Sequence, residues 1–177
     1  MIKVLTKERL ADLNTANQPF EIIGKLNITY KNGTWNYKEV IFSAPIEKQY
    51  TNYDGATADN YINCDDRVAF LAYKNSVCVG QILIASAWNR YAHIEDISVA
   101  REWRGKGIGT SLMDAAVEWA KKKKLCGLSL ECQDNNLLAS RFYKKYGMHI
   151  GGLSTKLYRH MGEPYNKEIA VFWYLDL

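Results

Sequence analysis

The sequence predicts an α+β protein: a mixed, mainly antiparallel central sheet flanked by helices, preceded by an N-terminal β-hairpin extension. Three observations predict it. Residues 20–31 and 34–42 are rich in β-branched and aromatic side chains and are joined by Asn32-Gly33, a strong hairpin signal. Three apolar runs, 67–74, 77–88 and 91–100, then follow with spacers too short for crossover helices, which makes an antiparallel meander. Two segments with helical apolar spacing alternate with strand-like runs towards the C-terminus.

The elements follow in order. MIKVLTKERLADLN carries charge throughout and contains no apolar leader core. After the hairpin, residues 43–66 hold Pro45, Gly55 and many small polar residues, so a loop or short helices are expected. RVAFLAYK (67–74), VCVGQILIASAW (77–88) and YAHIEDISVA (91–100) read as strands, with Asn75-Ser76 as the first turn. Ile108, Leu112, Ala115, Ala116 and Trp119 recur at helical spacing over about 108–124. CGLSLEC (126–132) is again a strand. In the next helix Leu138, Phe142 and Tyr146 share one stripe, and Gly147 stops it. Runs 149–160 and 167–177 give two final strands. With no repeat and no linker-like tract, the 177 residues form a single domain.

Composition narrows the function. With 47% hydrophobic and 24% charged residues, the chain is an ordinary soluble protein, and the absence of a run of roughly 18 apolar residues argues against a membrane partner and for the cytoplasm. Cys64, Cys78, Cys126 and Cys132 form no CxxC pair and lack a His at ligand spacing, so they are expected to be reduced, with no metal site. Net charge is +4. The run Lys121–Lys124 closes a helix, where cations complement the dipole, and does not indicate nucleic-acid binding. Residues 51–66 contain Asp54, Asp59, Asp65 and Asp66 and no Lys or Arg, a negative segment suited to a cationic small molecule. Tyr50, Tyr53, Tyr61 and Trp88 offer aromatic faces for its ammonium groups. Monomer and homodimer are both left open.

Arg104-Gly105-Lys106-Gly107-Ile108-Gly109 lies between a strand and a helix start. Glycines allow a tight turn with several N–H groups facing one ligand, and a helix N-terminus adds unpaired donors and positive potential. Phosphate is the expected ligand. Spacing rejects a P-loop, which needs GxxxxGK[ST], and the dinucleotide fingerprint, whose third Gly is replaced by Thr110.

R-x-x-G-x-G in this context, followed by an Asn before a helix carrying Ala-x-x-Phe-Tyr and ending in Gly (Asn136, Ala139, Phe142, Tyr143, Gly147), resembles the GNAT (GCN5-related) N-acetyltransferase superfamily. Within it, PFEIIGK, FSAPIEKQY, WNRYAHIEDISV, LECQDNNLLASRFYKKYG and AVFWYLDL resemble the streptothricin acetyltransferases, which acetylate the β-lysine moiety of those antibiotics and so confer resistance. The resemblance implies a GNAT fold, with residues 1–66 as hairpin and substrate-side loop and 67–177 as the acetyl-CoA-binding core. It further implies direct transfer from acetyl-CoA to an amine in a ternary complex, without a metal. Arg104, Gly105, Lys106, Gly107, Ile108, Gly109 and Thr110 would hold the pyrophosphate. Ile97, Ser98 and Val99 would pair with the pantetheine arm and polarise the thioester carbonyl. Asn136 and Ala139 match cofactor-binding positions, although Asn136 also suits helix N-capping. Tyr143 is the implied general acid. Glu95 is the implied base or water relay, with Asp96 as the alternative. As neighbours on a strand these two are expected to face opposite ways, and an ion pair to Arg90, Arg101 or Arg104 is the competing use for either.

Overall fold

The computed structural model describes residues 1–52 and 55–177, with residues 55 and 56 described by backbone only. Two compact units are interleaved along the chain: residues 1–20, 49–128 and 176–177 form one, and residues 21–48 and 129–175 the other. None of the described helices is long and apolar enough to cross a membrane.

The first unit is organised by β1 (Ile2–Val4), β4 (Arg67–Lys74), β5 (Val77–Ser86) and β6 (Tyr91–Val99), which neighbour each other in that order and pair antiparallel. Asn75 and Ser76, both at positive φ, make the expected turn between β4 and β5. One face of these strands carries a core of Leu5, Leu13, Tyr61, Ala69, Leu71 and Leu83, closed by a 3-10 turn (Lys7–Asp12) and the short α1 (Gly55–Asp59). Each large aliphatic buried here contributes about 1.5–3 kcal/mol. The other face receives α2 (Ile108–Lys122), which buries Ile108, Leu112, Met113, Ala116, Trp119 and Ala120 at helical spacing. Gly80 permits that approach. A Cβ there would meet Ile108 Cγ2 at 3.0 Å and Leu112 Cδ1 at 3.1 Å.

The second unit contains a two-stranded ribbon, β2 (Phe20–Lys31, whose first residue belongs to the other unit) and β3 (Thr34–Lys48), turned through Asn32 and Gly33 at φ 53° and 77°. β3 thus extends six residues past the expected end, through Pro45. The unit also holds most of β7 (Gly127–Gln133), then α3 (Leu137–Tyr146), β8 (His149–Ser154) and β9 (Ala170–Asp176), the last two paired antiparallel. The expected strand over 149–160 stops at Ser154, and Gly147 ends α3 at φ 108°.

Candidate functional site

β6 carries the first group of candidate residues. Its register with β5 pairs Ile84 with Ile94 but Leu83 with Asp96, so Glu95 is an extra residue in a β-bulge. Directly paired residues of an antiparallel ladder share a face. Gln81, Leu83, Ala85, His93, Asp96 and Ser98 therefore lie on the core face, and Gly80, Ile82, Ile84, Ile94, Ile97 and Val99 on the α2 face. The bulge corrects the expectation that Glu95 and Asp96 diverge: Glu95 also reaches the core face, where it accepts the Tyr61 hydroxyl. Arg67 stands 3.6 Å from its carboxylate, so the ion-pair partner is none of the three arginines considered from sequence.

Asp96 is held differently. Gln81 Nε2 donates to its Oδ2 at 2.8 Å, and Gln81 Oε1 in turn accepts the Asn14 main-chain N–H at 2.7 Å. No cation pairs with Asp96 among the described residues. Burial pushes its ionisation up to about 6, opposed by the Gln81 bond. Two residues on, the buried Ser98 Oγ has no hydrogen-bond partner. Burial likewise lowers the His93 pKa, which Glu95 opposes.

The glycine loop follows a 3-10 turn at Arg101–Trp103. Gly105 and Gly107 adopt φ 73° and 82°, and the space where their Cβ atoms would lie is open. Gly107 caps α2, and the Ser111 N–H to Gly107 carbonyl bond (3.0 Å) closes its first turn. The N–H groups of Ile108, Gly109 and Thr110 precede that bond and have no intrahelical acceptor. Such an open, donor-lined turn at a helix N-terminus fits the pyrophosphate of acetyl-CoA. Lys106 lies over the Trp103 ring at 5.1 Å. Arg104 departs from expectation. Its Nε donates to the Val99 carbonyl (2.9 Å), Nη1 to Pro19 (3.1 Å) and Nη2 to Gln18 (3.0 Å), so its guanidinium braces the loop against the chain before β2.

In the second unit, Asn136 Oδ1 accepts the Ala139 N–H at 3.3 Å, the N-capping geometry. Tyr143 is 7% exposed, its ring 6.1 Å from that of Trp173 and 5.6 Å from that of Phe142.

The acidic segment offers less than its sequence suggested. Asp65 is fully exposed but lies 3.7 Å from Lys123, and Asp66 accepts the Cys64 thiol. Tyr61, 3% exposed with its ring under Arg67, belongs to the core and presents no face to a ligand. Tyr50 packs on Phe20, while Trp88 is 96% exposed. Tyr53 and Asp54 fall outside the described residues. Among the described residues no cluster of His, Cys, Asp or Glu suits a metal. The residues missed from sequence are Gln81, Arg67 and the core role of Tyr61. Only Gln81 carries a signal there, as a polar amide within an apolar strand.

The family model for the acetyltransferase (GNAT) family matches residues 36–148. Streptothricin acetyltransferase A of Bacillus subtilis (strain 168) is 44% identical over 174 residues, 98% of each chain. Two crystal structures superimpose over nearly the whole length. One is a Bacillus anthracis str. Ames protein described as a streptothricin acetyltransferase, in complex with acetyl coenzyme A (TM-score 0.92, 30% identity, covering 100% of this chain and 99% of that one). The other is a nourseothricin acetyltransferase (TM-score 0.82, 25% identity, covering 99% and 97%).

Proposed function

The chain belongs to the GNAT acetyltransferase family, and from that premise we propose that it acetylates an amine on the β-lysine moiety of streptothricin, taking acetyl from acetyl-CoA by direct transfer in a ternary complex. Such a reaction would inactivate the antibiotic and confer resistance. Acetyl-CoA supplies an activated acetyl thioester. The main-chain N–H groups of the Gly105–Thr110 loop hold its pyrophosphate, with Lys106 adding charge and Arg104 fixing the loop. Ile97, Ser98 and Val99 lie along the pantetheine arm and orient the thioester carbonyl. Asn136 and Ala139, at the start of α3, are assigned to cofactor binding as well.

The substrate nitrogen gives up two protons, one as the ammonium becomes the attacking amine and one as the C–S bond breaks and the amide forms, while the departing thiolate takes up one. The observation that carries the mechanism is Asp96, a carboxylate with one fixed amide donor and an ionisation near 6. It is charged at neutral pH yet more basic than an ordinary Asp, which suits a proton acceptor. Glu95, already engaged by Tyr61 and Arg67, orients the cationic substrate or relays through water. Tyr143 holds the proton that the thiolate takes up.

The test is CoA release from acetyl-CoA with streptothricin, spermidine, kanamycin or a Lys peptide as acceptor, with product mass measured. Acetylated streptothricin is the expected product. Turnover on another amine alone would keep the chemistry and discard the substrate. Failure with all four would replace the enzyme with an acetyl-CoA sensor.

A further inference from the structure

We infer that Gln81 is a positioning residue for acetyl transfer, holding the Asp96 carboxylate in a single orientation for proton uptake. The inference rests on the reading of Asp96 as the proton acceptor.

Gln81 sits in a strand buried continuously from Cys78 to Ala85 and is itself 1% exposed. A buried amide without partners is destabilising, so an aliphatic residue would serve the core better unless both ends of the amide are used. Both are. The Asn14 N–H meets Oε1 at 2.7 Å, and Nε2 meets Asp96 Oδ2 at 2.8 Å. These two bonds fix the direction of the amide. Reversing it would set Oε1 against a carboxylate and Nε2 against an N–H. Asn14 reaches this position at φ 70°, a conformation Asn tolerates better than most residues. The main chain after the N-terminal 3-10 turn thereby orients a side chain on β5, which orients one on β6.

The surrounding groups leave Gln81 as the partner that matters. On β6, Glu95 is engaged by Tyr61 from the α1 side and by Arg67 from β4, while His93 faces Glu95. From the N-terminal turn, Asp12 accepts the Tyr73 hydroxyl of β4. Cys78 of β5 is a buried thiol whose pKa burial raises. None of these is a charged partner of Asp96. Burial raises the Asp96 pKa and the Gln81 bond opposes it, so removing the donor moves the ionisation further upward.

The experiment is the pH profile of kcat/KM with streptothricin and acetyl-CoA for Gln81→Met and the near-isosteric Gln81→Glu, each checked by thermal melting and acetyl-CoA affinity. Gln81→Met should lose about tenfold at pH 7, the loss of one hydrogen bond to a charged group. Its acidic limb should lie at higher pH and its rate should recover in alkali. In Gln81→Glu the limb should move further, because two adjacent carboxylates share a proton. In an Asp96→Asn background, Gln81→Met should add no further loss. An unmoved limb in the folded variants, or a full loss persisting beside Asp96→Asn, overturns the positioning role while leaving Asp96 in place. A wild-type rate for Asp96→Asn alone overturns the acceptor reading instead.

Discussion

Two carboxylates, Glu168 in one compact unit and Asp96 in the other, are held in opposite ways. In the unit of residues 21–48 and 129–175, Glu168 is 7% exposed and fully partnered. Lys48 Nζ lies 2.6 and 2.9 Å from its two oxygens, and Asn135 Nδ2 donates to it at 3.0 Å. The Lys48 side chain is itself only 9% exposed, with the Tyr165 ring 5.0 Å away. Glu131 on β7 accepts the Tyr158 hydroxyl, to whose oxygen Gln133 also donates at 2.9 Å. In the other unit Asp96 has one amide donor and no cation among the described residues. A carboxylate with all its partners fixed serves as scaffold. A sparsely held one keeps an ionisation near neutrality and can exchange a proton.

The largest expected effect breaks the saturated side. Lys48→Met strands the Glu168 charge in a buried position, which should destabilise the protein by about 3–5 kcal/mol, measured by urea unfolding. The double variant Lys48→Met, Glu168→Leu should regain much of that loss. If the single variant melts like the parent, Lys48–Glu168 is an ordinary surface pair and the contrast between the units disappears. Next in size is Tyr143→Phe, which asks whether the saturated unit also does chemistry. As the thiolate proton donor, Tyr143 should support kcat by about a hundredfold, with acetyl-CoA affinity nearly unchanged. Equal losses in kcat and affinity would make Tyr143 a packing residue beside Trp173.

Local chemistry was legible and distant partnership was not. Asn32-Gly33 announced a hairpin because both positions need the left-handed conformation they adopt, and Asn136 and Gly147 announced the ends of α3 through their capping preferences. β3 outran its expected end because Pro45 reads as a strand breaker. In a two-stranded ribbon each strand has one ladder partner, so a residue lacking an N–H can sit on the open side. β1 is three residues long, too short for alternation to register. The Glu95 bulge escaped because strict alternation was assumed along HIEDIS, and nothing in those residues marks an insertion. Arg104 looked like an anion ligand because the carbonyls it braces, at Gln18 and Pro19, lie 86 and 85 positions upstream. Gln81 was conspicuous in an apolar strand, yet its donor at Asn14 is 67 positions away.

The smallest predicted effect concerns the sign of the contrast. An acid whose folded ionisation lies at about 6, above its ordinary 3.8, is bound to a proton more tightly in the native state than in the unfolded chain. Its native-state penalty is absent below about pH 3.8, grows through the interval and is complete above about pH 6. Asp96→Asn removes that penalty and keeps an oxygen for Gln81 Nε2. The variant should therefore be more stable than the parent by about 2–3 kcal/mol at pH 7.5, and within about 0.5 kcal/mol of it near pH 4. Lys48→Met and Asp96→Asn would then shift stability in opposite directions at the same pH. Paired urea titrations at the two pH values measure the difference directly. A variant less stable than the parent at pH 7.5 would mean that the Asp96 charge is stabilised in the native state, as that of Glu168 is by Lys48, and that the first unit holds its carboxylate as scaffold too.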